Sequence, residues 1–172
     1  IDGAKAWSTF AGRADVLALL ARTDPDPKAG HRGLSLFIVE KERCYGHDFD
    51  LVQPGGGRLT GKADRTLGYR GMHSFTLQFE RWFVPGDRLL GQAGRGFYYQ
   101  MAGFAAGRLQ TAGRATGLAQ ASLEAAGRYA VDRRQFGRPI GEFQSTAYEL
   151  GVMALKTAAA RALTHEAARA MD

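Results

Sequence analysis

The chain has 172 residues, 45% of them hydrophobic and 23% charged, and 23 Lys plus Arg against 17 Asp plus Glu give a formal net charge of +6. That length suits one domain, or a small domain plus part of another, and the composition excludes a disordered chain. No run of eighteen apolar residues is present, so no membrane span is expected. The opening IDGAKAWSTF lacks the basic-then-apolar layout of a signal peptide and an initiator methionine, so a segment of a longer protein is expected. Cys44 is the sole cysteine, which excludes an intrachain disulfide and suits a reducing, cytoplasmic setting.

Taken in order, residues 1–22 read as two strands around a Gly/Ala turn, and GLSLFIVE (33–40) as a third, rich in branched and aromatic residues. Segment 47–53 is a candidate fourth strand. Pro54-Gly-Gly-Gly predicts a loop over 54–61, and a short strand and turn is expected from Arg65 to Arg70. HSFTLQFERWFV (73–84) alternates, with Phe75, Leu77 and Phe79 on one face and Thr76, Gln78 and Glu80 on the other. Short strands without intervening helices predict a small antiparallel β-barrel or sandwich over residues 1–92.

Residues 93–172 read as two long helices. Apolar residues at Phe97, Met101, Phe104, Ala105, Leu109, Ala112, Ala115, Leu118, Ala119, Leu123, Ala126 and Tyr129 recur at spacings of three and four, the period of one helical face. Glycines 103, 107, 113, 117 and 127 each cost about 1 kcal/mol of helix propensity, which predicts a close approach by a backbone, a helix or a flat ligand. The turn RQFGRPIG (134–141) ends this helix, and a second runs from Phe143 to about Met171, with Phe143, Ala147, Leu150, Ala154, Ala158 and Ala162 expected to be inward. The fold class expected is therefore an α+β multidomain fragment, a β-barrel or sandwich followed by an antiparallel helical hairpin, half of a four-helix bundle. Seven arginines between Arg95 and Arg138 face only Glu124 and Asp132. Such an excess suits a phosphate-bearing partner or a solvated face.

Several stretches together resemble the acyl-CoA dehydrogenase family. They are IDGAKAWST (1–9), ARTDPDPKA (21–29), LGYRGMHSFTLQFERWFVPGDRLLG (67–91) and GRLQTAGRATGLAQASLEAAGRYAVDRRQFGRPIGEFQ (107–144). They keep the family's order and span almost the whole chain. Arg81 stands where the family usually has Asp, and Ser8 where it usually has Ile. FYYQMAGFAAGRLQTA (97–112) is similar to the branched-chain side of the family, including methylsuccinyl-CoA dehydrogenases. The resemblance implies FAD as cofactor, an acyl-CoA substrate from fatty acid or branched-chain metabolism, an electron-transfer flavoprotein as acceptor, and a homo-oligomer, dimer or tetramer.

It also assigns site residues. A tryptophan beside a hydroxyl at a strand end can cover a heteroaromatic ring or simply fill a core. By resemblance Trp7, Ser8 and Thr9 take the flavin. An arginine at a helix end can hold a pyrophosphate or stay solvated. By resemblance Arg133, Gln135, Phe136 and Gln144 reach FAD held mainly by a neighbouring subunit. Arg108 within a small-residue helix wants an anionic or carbonyl partner if buried. By resemblance it lies beside the acyl-CoA, with Phe104, Gly107 and Thr111 lining the pocket. No catalytic residue is expected in the segment. Most of the family carries its Glu base on a later helix, a minority one position before the arginine, and that position here is Gly107.

Histidines 31, 47, 73 and 165 and Cys44 show no metal-ligand spacing, and neither GxGxxG, GxxxxGK[ST] nor GxSxG occurs. Two alternatives stand beside the dehydrogenase: a flavin-binding subunit without turnover, and a nucleic-acid-associated relative. Basic charge favours the latter, and aromatics at core-like positions speak against it.

Overall fold

The computed structural model describes residues 1–68 and 71–171. It divides into two compact units, Ile1–Met101 and Ala102–Asp172.

The first unit holds β1 (Gly3–Thr9), β2 (Val16–Arg22), β3 (Leu34–Glu40), β4 (Asp48–Val52), β5 (Arg58–Ala63) and β6 (Ser74–Glu80). Antiparallel pairing builds one sheet in the order β1-β6-β5-β4 and a separate β2-β3 pair. One apolar cluster joins them: Leu19 and Val39 from the pair meet Leu59, Phe75, Leu77 and Phe79 from the larger sheet, with Ala11 and Trp82. Two open sheets over a shared core make this a sandwich. Among the described residues no closed barrel forms.

The alternation across residues 74–80 holds: Phe75, Leu77 and Phe79 are buried while Thr76, Gln78 and Glu80 face solvent. The expected loop over 54–61 is shorter than predicted, because Arg58–Ala63 is an inner strand of the sheet. Gly61 pairs with Phe49, and a Cβ at Gly61 would come within 2.2 Å of the Phe49 ring. The aromatic ring covers the glycine, so a residue that weakens a lone strand is what the pair requires. The strand expected from Arg65 is not formed over 65–68, and residues 69 and 70 lie outside the described residues.

The unit ends on the start of α1 (Gly96–Asp132). Gly94 N donates to Ser35 Oγ at 3.0 Å, and His31 Nε2 meets the Tyr98 hydroxyl at 3.0 Å. A Cβ on Gly96 would stand 2.5 Å from the backbone nitrogen of Leu36, so only glycine fits there.

The second unit is a helical hairpin. α1 leads into a two-residue ladder of β7 (Arg134–Gln135) and β8 (Arg138–Pro139), then α2 (Gln144–Arg169). Arg161 Nη2 donates to Gln120 Oε1 at 2.7 Å, and Gly141 lies against the Ala130 carbonyl nearer the turn, so the helices run antiparallel. The inward stripes differ from expectation. In α1, Phe104, Ala115, Leu118 and Tyr129 are exposed, whereas Ala112, Thr116, Ala119, Leu123 and Ala126 are half-buried and Ala130 is buried. In α2, Ala147, Ala154, Ala158 and Ala162 face out; Thr146, Leu150, Met153, Thr157 and Thr164 turn in. Threonine takes this face because its hydroxyl bonds back to the helix, Thr157 Oγ1 to Met153 O and Thr164 Oγ1 to Ala160 O, both at 2.8 Å. A Cβ on any of Gly103, Gly107, Gly113, Gly117 or Gly127 would meet nothing within 4 Å, so no group of the described chain makes the close approach expected there. No helix among the described residues is long and apolar enough to cross a membrane.

Candidate functional site

The residues singled out from the sequence fall into three local constellations. The first is the end of β1. Lys5 pairs with Leu77 and Ser8 with Phe75, so Ala6 and Trp7 together oppose the single residue Thr76. This β-bulge bends the strand and re-aims its side chains. Trp7 sits at φ 58° and Phe10 at φ 66°, a left-handed backbone that bulky residues adopt only when their surroundings enforce it. The Trp7 indole is 70% exposed rather than in the core. Beside it, Thr9 Oγ1 lies 3.3 Å from Ser74 Oγ, a single partner that leaves the hydroxyl capacity for another bond. A presented indole next to hydroxyls with spare hydrogen-bonding capacity fits a flat heteroaromatic ring that carries nitrogens and carbonyls.

The turn after β1 is clamped. Phe10 N donates to His73 O at 2.8 Å and Ala14 N to Phe10 O at 3.1 Å. The Gly12 carbonyl accepts from Lys41 Nζ at 2.8 Å and from Cys44 N at 2.9 Å. Lys41 is 8% exposed, and burial pushes its ammonium below the usual lysine range, against the opposing pull of Cys44, Asp15 and Glu42. Sequence reading passed over Lys41, because a lysine following a strand-ending Glu40 looks like ordinary surface charge.

The second constellation is the helix connection. Arg133 N closes the last turn of α1 on Tyr129 O at 2.8 Å, and Ile140 N donates to Arg133 O at 2.8 Å. Phe136 and Gly137 have φ of 52° and 82°, the paired positive values of a two-residue hairpin turn. That turn leaves Phe136 93% exposed, edge-on to Phe143 with centroids 6.2 Å apart, while the Arg138 guanidinium lies 4.2 Å over the Phe143 ring. Arg133, Gln135, Phe136 and Gln144 are all exposed around this turn, which gathers a cation, two amides and an aromatic face at one end of the hairpin. Such a set can hold a phosphate and an adenosine.

The third lies on α1. Phe104, Gly107, Arg108 and Thr111 line one open groove of about 330 Å³. The spacing of three, four and seven puts them on one face, and Thr111 Oγ1 donates to Gly107 O at 2.9 Å. Arg108 is exposed rather than buried, so its charge is solvated within the described residues and free to meet an anion or carbonyl. Among the described residues no group of His, Cys, Asp and Glu could hold a metal ion.

Comparison with known proteins identifies the family of the chain. Residues 94–172 fit the family model described as acyl-CoA dehydrogenase, C-terminal domain. The whole chain is 41% identical to the (2S)-methylsuccinyl-CoA dehydrogenase of Cereibacter sphaeroides, of which it covers 31%. An acyl-CoA dehydrogenase of Bacillus subtilis is 39% identical over 98% of the chain and 41% of that relative. The solved glutaryl-CoA dehydrogenase in complex with glutaryl-CoA superposes with a TM-score of 0.85 at 35% identity, over 99% of this chain and 40% of that one. The fold is a β-sandwich joined to the helices of a C-terminal acyl-CoA dehydrogenase domain. The chain belongs to the acyl-CoA dehydrogenase family, and it spans between about a third and two-fifths of the length of the relatives it matches.

Proposed function

We propose that the protein containing this chain is an FAD-dependent acyl-CoA dehydrogenase that forms an α,β double bond in an acyl-CoA thioester. The carrying observation is Trp7, raised on a bulge at positive φ and presented beside Thr9. Trp7 covers the flavin ring and excludes water from it, while Ser8 and Thr9 hydrogen-bond its polar edge. Arg133, Gln135, Phe136 and Gln144 hold the pyrophosphate and adenosine of FAD whose remaining contacts come from a neighbouring subunit. Arg108 binds the acyl-CoA, with Phe104, Gly107 and Thr111 shaping the acyl pocket. FAD held by these residues would supply the acceptor, at its N5, for the β hydrogen as hydride. The α proton goes to a Glu outside this segment, since glycine occupies position 107.

On this reading residues 1–92 form the middle domain and 93–172 the first two helices of the C-terminal domain of a cytoplasmic homotetramer, with an electron-transfer flavoprotein as acceptor. Identity to a methylsuccinyl-CoA dehydrogenase, and 38% identity to the isovaleryl-CoA dehydrogenase of Oryza sativa, support a short branched-chain or methylsuccinyl-CoA substrate. The test is to purify the full-length protein, identify any released flavin, and assay a panel of straight and branched acyl-CoA thioesters with an artificial electron acceptor. Stoichiometric FAD with preference for a branched short chain is expected. FAD without turnover of any thioester would favour a non-catalytic flavoprotein, and absence of flavin would overturn the reading.

A further inference from the structure

Among the described residues Lys41 is the one buried ionisable side chain, and a buried ammonium costs free energy unless its donors are met. Here Lys41 Nζ donates to Gly12 O at 2.8 Å and to Glu42 O at 2.9 Å, and it lies 5.0 Å over the Phe49 ring. A methionine would fill the same space without that cost, so packing alone gives no reason for a charge. The reason lies in what the ammonium grips. Gly12 is the middle of the Phe10–Asp15 turn, which starts one residue after Thr9. Trp7 before it and Phe10 within it both hold left-handed φ, and such strain persists only where neighbouring contacts over-determine the backbone. Ala11 N donates to Ser8 O at a long 3.3 Å, a weak tie between this turn and the Trp7–Thr9 segment.

We propose that Lys41 is a positioning residue: by fastening the Gly12 carbonyl it locks the turn that keeps Trp7, Ser8 and Thr9 in their presented geometry. The flavin consequence rests on the function proposed above; the clamp itself does not. The main-chain bond from Lys41 N to Asp15 O at 2.9 Å survives any change of side chain, and Cys44 N still reaches Gly12 O. Substitution at Lys41 therefore loosens one clamp without dismantling the strand pairing.

The experiment compares full-length wild type, Lys41→Met and Lys41→Arg by peptide-resolved amide hydrogen exchange and by the visible spectrum and reduction potential of the bound flavin. In Lys41→Met, exchange over residues 8–15 should rise by about tenfold with the rest of the β unit unchanged, and the flavin band and potential should shift. Lys41→Arg keeps a donor near Gly12 O and should move both back toward wild type. Wild-type exchange over 8–15 in Lys41→Met overturns the proposal. So does a lowered melting temperature accompanied by an unaltered flavin spectrum and potential per folded protein, which makes Lys41 a residue of the core alone. If the wild type carries no flavin, the functional reading fails separately, and exchange over 8–15 alone decides for or against the clamp.

Discussion

Thr9 and Ser74 face each other as the last pair of β1 and β6, their hydroxyls 3.3 Å apart, one step beyond the bulge that lifts Trp7. The pair fixes the strand end while the bulge sets the indole free of the core. Thr9→Val keeps the side-chain shape and removes the hydroxyl; Trp7→Ala removes the ring. On the flavin account both full-length variants fold, Trp7→Ala loses flavin occupancy, and Thr9→Val shifts the flavin absorption spectrum. Flavin content and spectrum identical to the parent in both would remove these residues from the cofactor.

Arg133 tests the shared site. Its guanidinium is exposed at the end of α1 beside the Phe136–Gly137 turn, with Gln144 opening α2. A ligand that spans an interface stabilises the assembled state, so cofactor retention and oligomer size should be linked. Sedimentation of Arg133→Ala with and without added FAD should show a smaller species that FAD partly reassembles. A monomeric variant holding stoichiometric FAD contradicts a site completed by a neighbour.

Gly61 supplies a test of the fold itself. Phe49 occupies the space of its missing side chain, so Gly61→Val forces the ring out of the core edge. Overpacking of this kind costs about 1–3 kcal/mol. The urea midpoint of the full-length variant should fall accordingly, and an unchanged midpoint would mean that the Phe49–Gly61 pairing is not formed.

That pair also explains what local sequence could and could not tell. Strand β6 was legible because its alternation is complete over seven residues, and α1 because its three-and-four spacing runs without proline. Strand β5 was hidden: Gly57 and Gly61 read as loop, and the reason for Gly61 is Phe49, twelve positions earlier and across the sheet. The inward face of α2 was misplaced because alanines look apolar, yet threonines that return their hydroxyls to the helix take that face. The bulge at Trp7 has no local signal at all, since nothing in AKAWST announces a tryptophan at positive φ. The groove of Phe104, Gly107, Arg108 and Thr111 was reachable from spacing, but the exposure of Arg108 was not.

Arg108 itself carries a sharper expectation. It is exposed on an open groove, so Arg108→Lys should leave the fold and FAD content intact while replacing a planar fork by a point charge. A loss in kcat/KM of at least about tenfold on the preferred acyl-CoA is expected, about 1.4 kcal/mol of transition-state stabilisation. Steady-state kinetics of Arg108→Lys and Arg108→Ala decide it. Turnover equal to the parent in both would make Arg108 a solvated surface residue.

The most direct measurement of the central claim is anaerobic titration of the purified full-length protein with a short branched-chain acyl-CoA, followed by its visible flavin absorption. The account predicts stoichiometric bleaching of the flavin band together with formation of the matching enoyl-CoA. A flavin band that stays oxidised with every acyl-CoA tried, in protein that holds its FAD, would contradict it.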